Sequence, residues 1–438
     1  MRHLSKRVGF CMIVVGISGM LASCSSSSKD AAPDKAETPA KPKEPVEVIF
    51  FGTDAPDVMN SLYMEPFNKK YPDIHLKYFH GTAAAGTTLP QLIAAGTKFD
   101  VYYGTSGGFE TLIDTYGLGY DLTEQLTKHK YDISHLEPSA IDTLKQNSGG
   151  KLYGLPSNML SYLLYYNKAV FDRFGAAYPK DGMTWEDTFE LAKKMTRTDG
   201  GKAYYGFGHA STVNMLNLNQ YGLPVANKQT NKPMINTDEK WKSVLQTMFL
   251  NVPLTQAYRE LGKLPDWSSF SKDQNLAMIT YSNTVPTALK ADITPLNWDM
   301  VSIPIFSQSM KTGTQATPVY FGVASFSEHK EEAARAVEYF SSIEFSVANS
   351  KAGVLMASTA PEVVKALGTE TAFPDKNWKA IRYYPFAPLS PKAIYSTEVL
   401  NAYNKNVVPL VAGQVDLNTA LRTMEEAAQK EIDTKLKK

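Results

Sequence analysis

The stretch "VEVIFFGTDAPDVMNSLYMEPFNKKYPDIHLKYFHG", residues 46–81, decides how the rest of the chain is read. "VEVIFFG" is a run of β-branched and aromatic residues, the composition of a strand. Pro56 and Asp57 mark a helix start, after which Met59, Leu62 and Tyr63 share one face, and Pro72 ends the helix. "IHLKYFHG" is a second strand, in which Ile74, Leu76 and Tyr78 alternate. A short helix over "TLPQLIAAGT" (88–97) and a third strand over "FDVYYGTS" (99–106) complete a β-α-β-α-β series. That order predicts an open, mostly parallel sheet. Ligands of such sheets bind beyond the strand C-termini, where Thr53, Asp54, Tyr103, Thr105 and Ser106 fall.

Working outward, "LSYLLYYN" (160–167) reads as a strand and "KAVFDRFG" (168–175) as a helix stopped by Gly175. "MTWEDTFELAKKMT" (183–196) is a helix opened by Thr184 and Asp187, a capping box with a short acid. Its apolar face carries Trp185, Phe189, Ala192 and Met195, which assigns Trp185 to a core. "WDMVSIPIF" (298–306) and "TPVYFGVASF" (317–326) are strands, and "SEHKEEAARAVEYFSSI" (327–343) is a helix. The last helix, from Asp416, buries a stripe of Leu421, Met424, Ala428, Ile432 and Leu436.

The opening of the chain has a different character. Arg2, Lys6 and Arg7 precede the apolar run "VGFCMIVVGISGMLA", a positive segment and hydrophobic segment of export-signal length, too short for an ordinary membrane span. "LASC" (21–24) resembles the processing signal of bacterial lipoproteins, which implies a signal peptide over 1–23 and diacylglycerol on Cys24. Residues 24–45 contain no large apolar side chain and read as a hydrated, disordered tether. Cys11 falls inside the signal, so the mature chain would keep only Cys24 and form no internal disulfide.

The 438 residues are enough for two sizeable lobes, and a formal net charge of +1 gives no electrostatic reason to expect nucleic acid as a partner. No nucleophile elbow, zinc-protease helix or phosphate loop is present, and the seven histidines are scattered. No cofactor, metal or catalytic residue is therefore expected. Asp54 and Asp57 are spaced for a helix start rather than for paired-carboxylate hydrolysis. A single cleft Asp suits accepting hydrogens from sugar hydroxyls, and aromatic planes suit the C–H faces of sugar rings. The candidate ligand-binding residues are Asp54, Tyr103, Trp267, Tyr281, Asn283, Tyr320 and Trp378, with Tyr162 and His80 as further possibilities.

Several stretches together resemble the family 1 extracellular solute-binding proteins of bacterial ABC importers. They are "YGLPSNMLSYLLYYNKAVFDRFG", "MTWEDTFELAKKMT", "FSKDQNLAMITYSN", "WDMVSIPIF", "FGVASFSEHKEEAARAVEYFSSI", "AGVLMASTAPEVV" and "GQVDLNTALRTMEEAAQKEI". The resemblance covers about residues 46 to 436. It implies a periplasmic-binding-protein fold of the maltose-binding type: two α/β lobes joined by hinge crossovers around a ligand cleft. It further implies one lobe of about 46–156 and 312–358 and another of about 157–311 and 359–438, with Pro156–Ser157 and Lys311–Gln315 as crossings. The implied function is capture of a sugar or oligosaccharide by a monomer, lipid-anchored on the outer face of the cell membrane, and delivery to an ABC transporter permease. In maltose-binding relatives a tryptophan follows the "AM" strand. Here Thr284 stands near that position, which argues against maltose and leaves Trp267 to supply the surface. An exported carbohydrate hydrolase and a receptor for another polar solute are the alternatives.

Overall fold

The computed structural model describes residues 45–437. The expected signal peptide, Cys24 and all but the last residue of the tether lie outside the described residues. The described strands are β1 (Val46–Gly52), β2 (Ile74–His80), β3 (Val101–Thr105), β4 (Leu155–Leu160), β5 (Tyr162–Asn167), β6 (Arg197–Asp199), β7 (Lys202–His209), β8 (Leu276–Ser282), β9 (Trp298–Ser302) and β10 (Thr317–Val323). They form two five-stranded sheets, ordered β2-β1-β3-β10-β4 and β6-β7-β8-β5-β9. In the first, β1 pairs in parallel with β2 and β3, as the opening stretch predicts, and β10 runs antiparallel to β3 and β4. The second is more mixed: β5 is antiparallel to β8 and β9, while β7 and β8 are parallel.

These directions determine where a ligand can sit. β1, β2, β3 and β4 all end at one edge of the first sheet, and β10 begins there. β5 begins opposite the last residues of β8 and β9, with Tyr162 paired to Ser282 and Leu163 to Ser302. The C-termini of β1, β2, β3 and β4 in one sheet and of β7, β8 and β9 in the other therefore lie on the side where the chain passes between them, the position expected for a cleft.

The helix after β1 is built from Pro56–Met59, a π turn over Asn60–Met64, and Glu65–Lys70. It buries Met59, Tyr63 and Phe67 against the first sheet, with Phe50, Phe321 and Phe340. In the second half, Thr184 caps helix Trp185–Lys193 as the sequence predicts. Trp185 is buried, its Nε1 donating to Gln220 Oε1 at 3.1 Å. Helix Leu417–Leu436 buries Leu421, Met424, Ala428 and Ile432. Leu436 departs from that stripe and is 64% exposed, because the last turn runs past its packing surface.

The chain changes sheet at Ser161, between β4 and β5, whereas Pro156 and Ser157 lie inside β4. It returns between Ser302 and Thr317, a stretch that contains Lys311–Gln315. Ser161 is held by Asn283: its N–H donates to Asn283 Oδ1 at 2.7 Å, and Asn283 N–H donates to its carbonyl at 2.9 Å. Ser161 Oγ also meets Thr314 Oγ1 at 3.2 Å, tying the two crossings together. A third connection lies beside β4, where Met159 N–H donates to Leu355 O and Ala357 N–H to Ser157 O. Asn283→Ala strands the buried Ser161 N–H, and it is expected to cost about 1–3 kcal/mol in urea unfolding. An unchanged midpoint would show that this pairing does not hold the crossing.

Candidate functional site

Gly52 ends β1 where two rings converge. A Cβ there would lie 2.4 Å from Tyr103 Cε1 and 2.9 Å from the Tyr78 hydroxyl oxygen, so the glycine lets both tyrosines close over the strand end. The Tyr103 hydroxyl donates to the Asp54 carboxylate, and the Tyr78 hydroxyl donates to the Asp54 carbonyl at 2.9 Å. Burial, followed by the Asp54 hydrogen bond and charge, pushes the Tyr103 phenol well above its ordinary range. Burial and the same carboxylate push Tyr78 up to about 12. Both hydroxyls therefore stay protonated as donors. His80 stacks against Tyr78, with centroids 6.1 Å apart, and its Nε2 lies 3.2 Å from Thr53 O. One wall is thus a half-exposed aromatic surface edged by a carboxylate.

In the second half, Tyr281 sits near the end of β8 and meets Trp267 edge-on, centroids 5.1 Å apart. Trp267 opens the short helix Trp267–Ser271, stacks on Phe270 at 5.5 Å, and donates from Nε1 to Asp292 Oδ2 at 2.8 Å. Both rings keep part of their surface exposed. Tyr162 is buried, and its hydroxyl accepts from Asn214 Nδ2 at 2.5 Å.

The other three candidates lie elsewhere. Asn283 is the crossing clamp described above, with its side-chain oxygen already committed. Tyr320 is 0% exposed and donates to Ala140 O at 2.8 Å, packed against Phe109 in the first core. Strand position alone could not place it, because the sheet is covered on both faces. Trp378 is buried in the second half and donates to Phe373 O at 2.9 Å. Its ring lies over Gly368, where a Cβ would fall 2.2 Å from the indole.

The structure adds residues that the sequence reading missed. Lys392, half-buried on the loop before helix Ser396–Lys405, lays its stem against Gly107, just past β3. Its Nζ donates to Asn217 Oδ1 at 2.7 Å and Ser390 Oγ at 3.1 Å. Burial pulls this ammonium down to about 8, against the opposing pull of Glu110. Buried Glu110 accepts from Gly107 N–H at 2.5 Å, Ser106 Oγ at 3.3 Å and Asn147 Nδ2 at 3.2 Å. Nothing in "APLSPKAIY" signals this, because the partners of Lys392 are distant in sequence. Among the described residues no group of three or more His, Cys, Asp or Glu side chains could hold a metal, and no helix is long and apolar enough to cross a membrane.

The family model for "Bacterial extracellular solute-binding protein" matches residues 52–344. A sugar transporter from Rhizobium etli, solved in an open conformation, superposes with a TM-score of 0.70 at 18% identity, covering 88% of this chain and 99% of its own. An ABC substrate-binding protein from Listeria monocytogenes, solved with cycloalternan, gives 0.69 at 22% identity over 89% of this chain and all of its own. These likenesses establish the maltose-binding-type periplasmic-binding fold. The sn-glycerol-3-phosphate-binding periplasmic protein of Escherichia coli K12 is 29% identical over 100 residues, a stretch spanning 23% of this chain and 23% of that relative.

Proposed function

Because the chain belongs to the bacterial extracellular solute-binding proteins, whose members hold a solute rather than convert it, we propose that it captures a sugar or oligosaccharide and delivers it to an ABC transporter permease. The observation that carries this reading is the matched chemistry at the strand ends of the two sheets. Asp54 and Tyr103 supply a carboxylate and a ring on one, Trp267 and Tyr281 supply ring surface on the other. Carbohydrate needs both, since its hydroxyls seek charged acceptors and its C–H faces seek aromatic planes. The cycloalternan complex of the Listeria protein supports the same class of ligand.

Closure of the two lobes over the ligand would exclude water, and ligand would favour the closed state by its differential affinity for it. The lobe division carried forward is about 46–156 with 312–358 and about 157–311 with 359–438, with the first border moved to Ser161. The permease would then meet a monomer held outside the cytoplasm. Anchoring through diacylglycerol on Cys24, with 24–45 as slack, completes the proposal. Mass spectrometry of the membrane-extracted N-terminus tests that part: lipid on Cys24 is expected, and an unmodified Met1 contradicts it.

Calorimetric titration with linear and cyclic gluco-oligosaccharides, mannitol and sn-glycerol 3-phosphate tests the ligand class. An oligosaccharide is expected to bind, and Trp267→Ala to weaken it by about 2 kcal/mol, roughly thirtyfold in Kd. Asp54→Asn is expected to cost about tenfold, because a charged acceptor is replaced by a neutral one. Binding of the phosphate ester alone would overturn the carbohydrate reading, and unaltered affinity in both variants would displace the site.

A further inference from the structure

Glu137 stands just before helix Pro138–Asn147, whose Ala140 and Leu144 lie in the core of the first sheet. Arg382 ends the short helix Trp378–Arg382, whose Trp378 and Ile381 pack with Trp298 and Met300 of the second sheet. The two side chains meet: Arg382 Nη1 donates to Glu137 Oε2 at 3.0 Å, and Nη2 donates to Met356 O at 2.7 Å. We propose that Arg382 is a positioning residue, a latch that fixes the angle between the two halves by gripping the first half and the third connection together. This rests on the reading of the two halves as lobes that move relative to one another.

The third connection is itself tied to the first half. Ala357 N–H donates to Ser157 O at 2.8 Å, inside β4. Glu137 N–H donates to Ala357 O at 2.8 Å, and Thr359 N–H donates to His135 O at 2.6 Å. His135 Nδ1 lies 3.1 Å from Ser358 Oγ. Residues 135–137, the connection and β4 therefore form one unit, and Arg382 reaches that unit from the other half. The reach suits an arginine. Its planar fork serves a carboxylate and a carbonyl at once, which a lysine ammonium on a single stem does not match. Phe386 supports the guanidinium from the second half, with its ring centre 5.4 Å from the guanidinium carbon.

Two ion pairs join the halves among the described residues, and they differ in burial. Lys351 and Glu370 meet at 2.8 Å, with side chains 41% and 64% exposed. Such a surface pair contributes little and is screened by salt. The Arg382 and Glu137 side chains are only 16% and 13% exposed. Removing one partner of a pair so enclosed leaves the other charge without its counterpart, which is strongly unfavourable. The connection then loses both its charge pairing and the hydrogen bond on Met356 O.

Hydrogen–deuterium exchange of the purified chain without ligand reads the latch whether or not the ligand class is correct. In Arg382→Met the amides of Glu137, Ala357 and Thr359 are expected to exchange about tenfold faster than in the wild type, while those of β8 stay unchanged. Small-angle X-ray scattering of the same variant, also without ligand, should give a radius of gyration different from the wild type's. Arg382→Lys keeps the charge but serves one acceptor at a time, so it should fall between the two in both measurements. Lys351→Met should match the wild type in both. If Arg382→Met fails to fold, as its melting curve would show, Glu137→Gln carries the comparison, with a smaller effect because a neutral acceptor remains. Wild-type exchange or wild-type dimensions in the variant, or an equal response in Lys351→Met, would overturn the proposal. Exchange that quickens equally in β8 would reduce the pair to a source of stability and overturn it as well.

Discussion

Gly206→Ala is expected to leave the chain largely unfolded at moderate urea. Gly206 lies in β7, where the helix Trp185–Lys193 crosses. A Cβ there would fall 2.0 Å from the Ala192 carbonyl oxygen, 2.5 Å from its carbon and 2.7 Å from its Cα. All three are backbone atoms, so no side chain can turn aside, and helix and strand must separate. Their separation would disturb the packing of Trp185, Phe189 and Phe207, whose rings meet at 5.1 to 6.0 Å. Overpacking of this kind costs about 3 kcal/mol or more, a large share of the roughly 5–15 kcal/mol by which domains are stable. Gly96→Ala is the control. That residue has φ +68° with nothing within 4 Å, so the same methyl should cost only about 1 kcal/mol of backbone strain. Equal urea midpoints for the two variants would show that the helix–strand approach is not the constraint.

The second large effect is acid sensitivity centred on His209. Its ring is 4% exposed among Trp185, Phe207 and Phe249. Nε2 lies 3.0 Å from Met248 O and Nδ1 lies 2.7 Å from Thr280 Oγ1. A carbonyl can only accept, so Nε2 carries a hydrogen, and with the ring kept neutral by burial Nδ1 accepts the Thr280 hydroxyl proton. Burial lowers its pKa from 6.5 to about 4. The folded value lies below the unfolded one, so the unfolded chain gains the proton first as pH falls. Stability is full above pH 6.5, declines between 6.5 and about 4, and levels off below, for a loss of about 3 kcal/mol from this group. His209→Gln can donate to Met248 O and accept from Thr280 without titrating. Its urea midpoint should fall less than the wild type's between pH 7 and pH 4, and parallel falls would contradict the assignment.

The legible parts of the fold are those whose determinants are local. β1, the helix after it and β2 follow from one stretch of alternation and proline punctuation. The Thr184 cap and buried Trp185 follow from residues three and four apart. β4 escaped because Pro156 argues against a strand; it is tolerated because β4 is the edge of its sheet. β7 was hidden by Gly206 and Gly208, whose reason is the close approach of Ala192 and Pro265 from other segments. The candidate site divides in the same way. Strand order alone places Asp54 and Tyr103 at neighbouring strand ends, where the two side chains meet in the structure. Tyr320 was misplaced because adjacent positions of a doubly covered strand look alike, as Tyr320 and Phe321 do. Lys392 depends on Asn217 and Gly107, distant in sequence, and local pattern carries no trace of that meeting.

Ligand-driven closure is the central claim, and it is tested most directly by scattering from the purified chain before and after saturation with an oligosaccharide shown by calorimetry to bind. The predicted result is a decrease in radius of gyration with the added sugar, reduced in Trp267→Ala at the same sugar concentration. Saturable binding with unchanged dimensions would contradict closure, and a full decrease in the variant would place the ligand elsewhere.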